Sequence, residues 1–162
     1  MLQTRDYAQA LIRNADTDNA SDDQIARWVD ARLERQQILS DEQPKQLVVF
    51  LEEYVLDRPV GGPETWRSQL DHLLAQSKRP NIEVRVLPAA QSPHAAHEGS
   101  FTLFELPDPY PRAAYIDTLA GPLFIEEPLV QRCANAWKAL NKQAAGPDLS
   151  RRIITDRIKE IK

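Results

Sequence analysis

The sequence predicts an α+β fold: an N-terminal helical pair, a mixed sheet of about five strands, and two C-terminal helices. Three observations lead to this prediction. Helical periodicity fills the first third of the chain. A short apolar run and an alternating run, separated by a helical segment, then suggest one strand–helix–strand crossover. Three short strand-like segments with Pro- and Gly-containing turns between them follow, as in a C-terminal antiparallel meander.

The helical pair occupies the predicted lead-in, residues 1–45. Tyr7 and Leu11 lie one turn apart in a short first helix, and Ser21 followed by Gln24 is a capping-box pattern for the second. We expect the apolar side of the second helix to pack into the core. The residues on that side are Ile25, Trp28, Val29 and Leu33. The other two tryptophans, Trp66 and Trp137, are expected to lie on the packing faces of their helices as well.

Residues 46–127 are predicted to contain the sheet and one helix. The unbroken apolar run 47–51 is typical of a strand buried on both faces. Gly61-Gly62-Pro63 breaks the chain and places Pro at the first position of a helix. In residues 82–86 apolar and charged side chains then alternate, which indicates a strand with one face in the core. The strand segments after the apolar run are 82–86, 100–106, 113–118 and 123–126.

Residues 128–162 are predicted to form two helices that are separated at Gly146-Pro147. The last helix carries isoleucines on one side and basic residues on the other. It could pack within the chain or across a homodimer, and the sequence leaves both open. The chain has 162 residues, a length typical of one domain, so we treat 1–162 as a single domain.

Composition excludes several classes of protein. A single Cys rules out a disulfide framework and a four-Cys zinc site. A formal net charge of −4 disfavours binding to nucleic acid by this domain itself. The N-terminal segment has neither the pattern of a signal peptide nor that of a membrane span, so we expect a cytoplasmic protein without membrane contact. No nucleotide-binding or nucleophile-elbow spacing occurs, and we expect no cofactor and no metal.

The connection from residue 88 to residue 99 is longer than most, and long loops often bind ligands. It contains His94, His97 and Glu98, three side chains of metal-ligating type. Their order does not match the helical zinc pattern, and further ligands would be needed. A solvated loop is therefore the favoured interpretation.

The sequence also suggests a polar pocket. Glu52 follows the buried strand, where crossover sheets often bind ligands. Arg85 could clamp an anionic group, and aromatic residues including Phe124 could form the walls. The competing interpretation is an ordinary solvated face of an antiparallel sheet, and the catalytic residues stay unassigned. The predicted ligand-binding residues are Glu52, Arg85, Phe101, Glu105, Tyr115 and Asp117.

Several motifs occur in order along almost the whole chain: Leu2-Gln3-Thr4, 31–36, Arg58-Pro59-Val60-Gly61-Gly62-Pro63, 69–74, Gly99-Ser100-Phe101 and Asp117-Thr118. Together they resemble the uncharacterised domain that follows an XRE-type helix-turn-helix in many actinobacterial regulators, especially streptomycete ones. Members commonly have Glu where this sequence has Asp117. The resemblance implies a sensing or interaction domain, often encoded beside a small partner protein, and it implies no catalytic residues. No helix-turn-helix precedes Leu2 in this sequence, so DNA contact is expected only through a separate domain.

Three functions follow as hypotheses. The favoured one is a regulatory effector domain that binds a small molecule or a small protein partner. The second is a stand-alone homologue recruited as a cofactor-independent biosynthetic enzyme, which would use Glu52, Arg85, Glu105 and Asp117 for a cyclisation or isomerisation. The third is a dimerisation module built on the last helix. The missing catalytic motif favours a role without catalysis.

Overall fold

The computed structural model describes residues 1–161, and the chain in it divides into two compact units. The first unit contains Met1–Val86 and the C-terminal segment that begins at Ala145, whereas the second contains Leu87–Ala144. The helices are α1 (Arg5–Ala15), α2 (Asp22–Gln36), α3 (Pro63–Gln76), α4 (Val130–Gln143) and α5 (Pro147–Glu160). The strands are β1 (Leu47–Glu52), β2 (Ile82–Leu87), β3 (Thr102–Phe104), β4 (Ala113–Thr118) and β5 (Gly121–Ile125).

Helices α1 and α2 form the predicted N-terminal pair. The side-chain oxygen of Ser21 accepts a hydrogen bond from the Gln24 backbone N–H at 3.2 Å, which caps α2 as the sequence pattern predicts. Between the helices, Ile25 and Val29 of α2 are buried with residues of α1. The predicted packing of Trp28 is wrong, because its side chain is 42% exposed. Consecutive residues point about 100° apart around a helix, so contact through Val29 leaves Trp28 on the flank.

Strands β1 and β2 are parallel and neighbouring, and α3 lies between them in the chain, which confirms the crossover. Gly61 and Gly62 both have positive φ, 78° and 88°, just before Pro63 opens α3. The alternation predicted for β2 is observed. The prediction that both faces of β1 are buried is wrong at Val48, which is 38% exposed, because a two-stranded sheet is too narrow to bury both faces.

The main core of the first unit lies where α3 and α5 pack together against the parallel strands. Trp66 and Leu70 of α3 and Ile154 of α5 are all buried, as predicted for Trp66. Each such side chain contributes about 1.5–3 kcal/mol by leaving water. The apolar side of α5 is therefore used within the chain. The core residues with the least exposure are Leu56, Leu70, Val84, Val86 and Ile154.

The edge of β2 that does not pair with β1 forms hydrogen bonds with the chain segment that leads into α5. The N–H of Val86 donates to the Ser150 side-chain oxygen at 2.9 Å, and the N–H of Ala145 donates to the Val86 carbonyl at 2.8 Å. Ser150 is fully buried and donates in turn to the Ala145 carbonyl at 3.3 Å. Both backbone groups of Val86 are thus paired, and no third strand can bond there.

The strand arrangement differs from the predicted sheet. The five strands form a two-stranded sheet, β1-β2, and a three-stranded sheet, β3-β4-β5, instead of one mixed sheet. The α+β class, the helical pair, the crossover, the meander and the two C-terminal helices are all confirmed.

The second unit contains the antiparallel meander with α4 packed against β3 and β4. Ala114 of β4 and Val130 of α4 are fully buried. β4 has the predicted bounds. β3 is shorter than the predicted segment 100–106, and its last residue, Phe104, pairs with Ala113, the first residue of β4. Pro109 and Pro111 stand before Ala113 and have no N–H to donate, so the ladder stops there.

The long loop of the second unit differs from its prediction at one residue. His94 is only 8% exposed, and its ring Nδ1 accepts a hydrogen bond from the Ala96 N–H at 3.2 Å. His97 and Glu98 are exposed, as expected for a solvated loop. The loop turns back on itself after His94, since the His97 N–H donates to the His94 carbonyl at 3.1 Å, and this turn covers the ring.

We predict that Ser150→Ala lowers the free energy of unfolding by about 1–3 kcal/mol, because the buried Val86 N–H loses its acceptor. Urea unfolding followed by circular dichroism measures this change. Ser68→Ala, at an exposed site on α3, is the control and should change stability by less than about 0.5 kcal/mol. Equal effects of the two substitutions would contradict the role given to Ser150.

We also predict an acid-sensitive stability that depends on His72 of α3. Burial lowers the pKa of His72 below its ordinary value of 6.5, and its buried Nε2 has no hydrogen-bond partner among residues 1–161. The unfolded chain therefore binds the proton more readily, and stability present above pH 6.5 is lost as the pH falls through the folded pKa. Thermal melts at several pH values should show a weaker acid loss in His72→Leu than in the unmodified chain. His97→Leu, at an exposed histidine, should leave the pH dependence of the melting temperature unchanged. If the melting temperatures of the unmodified chain, His72→Leu and His97→Leu fall in parallel as the pH is lowered, the assignment to His72 is refuted.

Candidate functional site

The six residues predicted to bind a ligand fall into two groups. Glu52 and Arg85 belong to the parallel strands of the first unit. The other four belong to the meander of the second unit or flank its first strand: Phe101, Glu105, Tyr115 and Asp117. A pocket shared by both groups stays a prediction.

Within the first unit, Arg85 is held by the protein's own groups. Its side chain is 13% exposed, and its Nε donates to the Ala145 carbonyl at 3.0 Å. The guanidinium lies 5.7 Å from the centre of the Phe50 ring, and Glu83 is 3.7 Å away. Glu52, at the end of β1, is half-buried. These contacts give Arg85 a structural role in the joint between β2 and the start of α5.

Glu53, next in the chain, takes part in a network on the surface of the same unit. Arg157 of α5 lies 3.3 Å from the Glu53 carboxylate and 2.8 Å from that of Asp57. The network connects α5 to the turn after β1. Partly exposed ion pairs contribute at most about 1 kcal/mol each.

The charged residues of the meander are arranged differently. Glu105 forms an ion pair at 2.9 Å with Arg112 across the β3–β4 connection. Asp117 is exposed and lies opposite Pro122 of β5. Arg85 and Glu105 are thus already engaged by the protein, and no observation favours the biosynthetic-enzyme hypothesis. No group of three or more His, Cys, Asp or Glu side chains in residues 1–161 could hold a metal ion.

One side of the meander presents aromatic rings to solvent. The register pairs Tyr115 with Phe124 and with Thr102, and Phe104 lies two residues along β3 on the same side. The Tyr115 and Phe124 rings meet edge to face with centroids 5.4 Å apart. Phe124 is 71% exposed and Phe104 44%. We call Phe104, Tyr115 and Phe124 the aromatic face.

The surroundings of the aromatic face are acidic. Between residues 98 and 127 the sequence contains six carboxylates and one basic residue, Arg112. All six carboxylates are exposed, and of these Glu105 is the one paired with Arg112. The carboxylates are Glu98, Glu105, Asp108, Asp117, Glu126 and Glu127. The potential at this surface is therefore negative.

The first unit has a second candidate site, which the sequence analysis did not identify. An open groove of about 400 Å³ lies along α2 and the end of α1. Trp28, Arg32 and Arg35 line it at positions i, i+4 and i+7 of α2. That spacing was visible in the sequence, but Trp28 was counted with the packing residues. The remaining lining residues are Ile12, Ala15, Asp16, Thr17, Asp18 and Ala31.

No helix among residues 1–161 has the length and hydropathy that crossing a membrane requires. Comparison with known proteins finds no significant match among curated proteins or among solved structures. One family model does match, and it extends over residues 1–156, nearly the whole chain. That model describes a domain of unknown function, DUF5753, and the chain therefore belongs to the DUF5753 family.

Proposed function

We propose that the chain is the effector domain of an XRE-type transcription regulator and that it binds a small protein partner through the aromatic face. The observation that carries the proposal is the exposure of Phe104 and Phe124 on one side of a short sheet. Contiguous exposed aromatic surface is uncommon on monomeric proteins and is typical of protein interfaces. The resemblance to the domain of actinobacterial regulators agrees with an interaction role.

The charge around the aromatic face suggests what kind of protein it binds. The segment that carries the rings, residues 98–127, contains six carboxylates and one arginine, so a basic surface would be attracted and an acidic one repelled. Aromatic side chains in the centre of an interface and charges on its rim are the usual arrangement. We therefore favour a small basic protein with apolar anchors over a small-molecule ligand at this surface.

The resemblance suggests which protein to test, a small basic protein encoded beside the gene for this chain. Isothermal titration should give saturable binding, and the double substitution Phe104→Ser, Phe124→Ser should raise the dissociation constant about tenfold or more. Leu149→Ser is the matched control, because Leu149 is 48% exposed on α5 in the other unit. Circular dichroism checks that each variant is folded. Binding that is absent, or equally strong in the double variant, would refute the proposal.

Salt tests the charge argument separately. The dissociation constant should rise between about 50 and 300 mM NaCl, because salt screens charges at the rim. Glu126→Gln with Glu127→Gln should weaken this dependence. The control is Asp41→Asn with Glu42→Gln, an adjacent exposed acidic pair in the first unit. If both pairs alter the salt dependence equally, the rim of the aromatic face is not where the basic partner binds.

A further inference from the structure

The groove between α1 and α2 combines an exposed aromatic ring with two cationic side chains. We propose that it is a binding site for a small aromatic carboxylate. This proposal concerns the first unit alone, so its outcome is independent of binding at the aromatic face.

Trp28 provides the surface on which an aromatic ring would stack. Its neighbours Ile25 and Val29 are buried between the helices, whereas Trp28 is 42% exposed and lines the groove. Ala31 follows at the next position on this side of α2, and its small side chain leaves the indole uncovered. A planar ligand could therefore lie against the indole without displacing any core residue.

Arg32 and Arg35 provide the positive charge. Arg32 donates to the Gln3 side-chain oxygen at 2.9 Å, and Arg35 donates through Nε to the Ala31 carbonyl at 3.3 Å. These bonds to neutral acceptors orient the two guanidinium groups and use few of their donors. Neither guanidinium has a carboxylate within 4.0 Å among the residues that the structure describes.

Arg27 of α2 also donates to a neutral acceptor, the Gln24 side chain, but the two arginines of α1 differ from the groove arginines. Arg5 and Arg13 of α1 each form a 2.8 Å ion pair with an aspartate of α2, Asp30 and Asp22 respectively. Carboxylates are therefore available on α2, yet none is placed against the groove arginines. A ligand carboxylate could bond to both guanidinium groups, which match it in shape as well as in charge.

The opposite side of the groove limits the charge of the ligand. Both oxygens of Asp16 already accept backbone hydrogen bonds, at 3.2 Å from Asp18 and 2.7 Å from Ala20. Asp18 is exposed and also lines the groove. These two carboxylates offset part of the positive charge of the arginines and repel a phosphate dianion more strongly than a monoanion. A monoanion with an apolar planar body fits this distribution best.

The size of the groove agrees with such a ligand. Its volume of about 400 Å³ falls at the lower end of the range for small-molecule sites, about 300–1,000 Å³. A one- or two-ring acid fits within this volume.

The test is an NMR titration of the full chain with indole-3-acetate, in parallel with its neutral amide and with inorganic phosphate. We expect saturable shifts of the Trp28 indole N–H, assigned by loss of its signal in Trp28→Phe, with Trp66 and Trp137 unshifted. The amide and phosphate should bind about tenfold or more weakly than the acid, since each lacks either the charge or the ring.

Variants of the two arginines complete the test. Arg32→Gln with Arg35→Gln should raise the dissociation constant of indole-3-acetate about tenfold or more. Arg27→Gln is the control, because Arg27 is exposed on α2 but does not line the groove. No shift at Trp28 with millimolar indole-3-acetate would overturn the proposal. So would equal binding of the amide or phosphate, or an equal loss in Arg27→Gln.

Discussion

The hydrogen bonds between Val86 and the segment from Ala145 to Ser150 hold together the two points at which the chain leaves and re-enters the first unit. Between them lie 58 residues, Leu87–Ala144. Bringing the ends of such an insertion together has an entropic cost that increases by only about 0.6 kcal/mol for each doubling of its length. The buried Ser150 hydroxyl replaces a neighbouring strand as the partner of the Val86 N–H. The Ser150 hydroxyl and the Ala145 N–H thus occupy the edge of β2 at Val86, and the meander forms its own sheet.

The parts of the fold that depend on local signals could be predicted from the sequence. Ser21 caps α2, and Gly61-Gly62-Pro63 determines where α3 begins, because caps and turns act over a few residues. The division into two sheets could not be predicted. Which strands become neighbours is decided by contacts between residues far apart in the chain, such as that of Ser150 with Val86, 64 residues earlier, and no periodicity records them. The length of β3 likewise depends on prolines in the connection that precedes β4 rather than on its own residues.

The candidate sites show the same limit. The sequence analysis predicted a strand over 113–118, and Tyr115 and Asp117 do lie on β4, where alternation puts both on the same side. It assigned Arg85 to a pocket, whereas the Ala145 carbonyl, 60 residues later in the chain, holds that side chain. Trp28 was assigned to the core because a helical pattern identifies an apolar side without showing how much of it the neighbouring helix covers. The groove beside Trp28 became visible only when α1 and α2 were placed together.

The acidic residues around the aromatic face have a consequence for the protein in isolation. Exposed apolar rings on a short sheet with a free edge at β5 would ordinarily promote self-association. Two copies that approach through this side bring like charges together, and Pro122 interrupts the donors along the edge strand. Colloidal stability should therefore be highest at low ionic strength and above the pKa range of carboxylates. At high salt concentration or at acidic pH, we expect the protein to aggregate through this same surface.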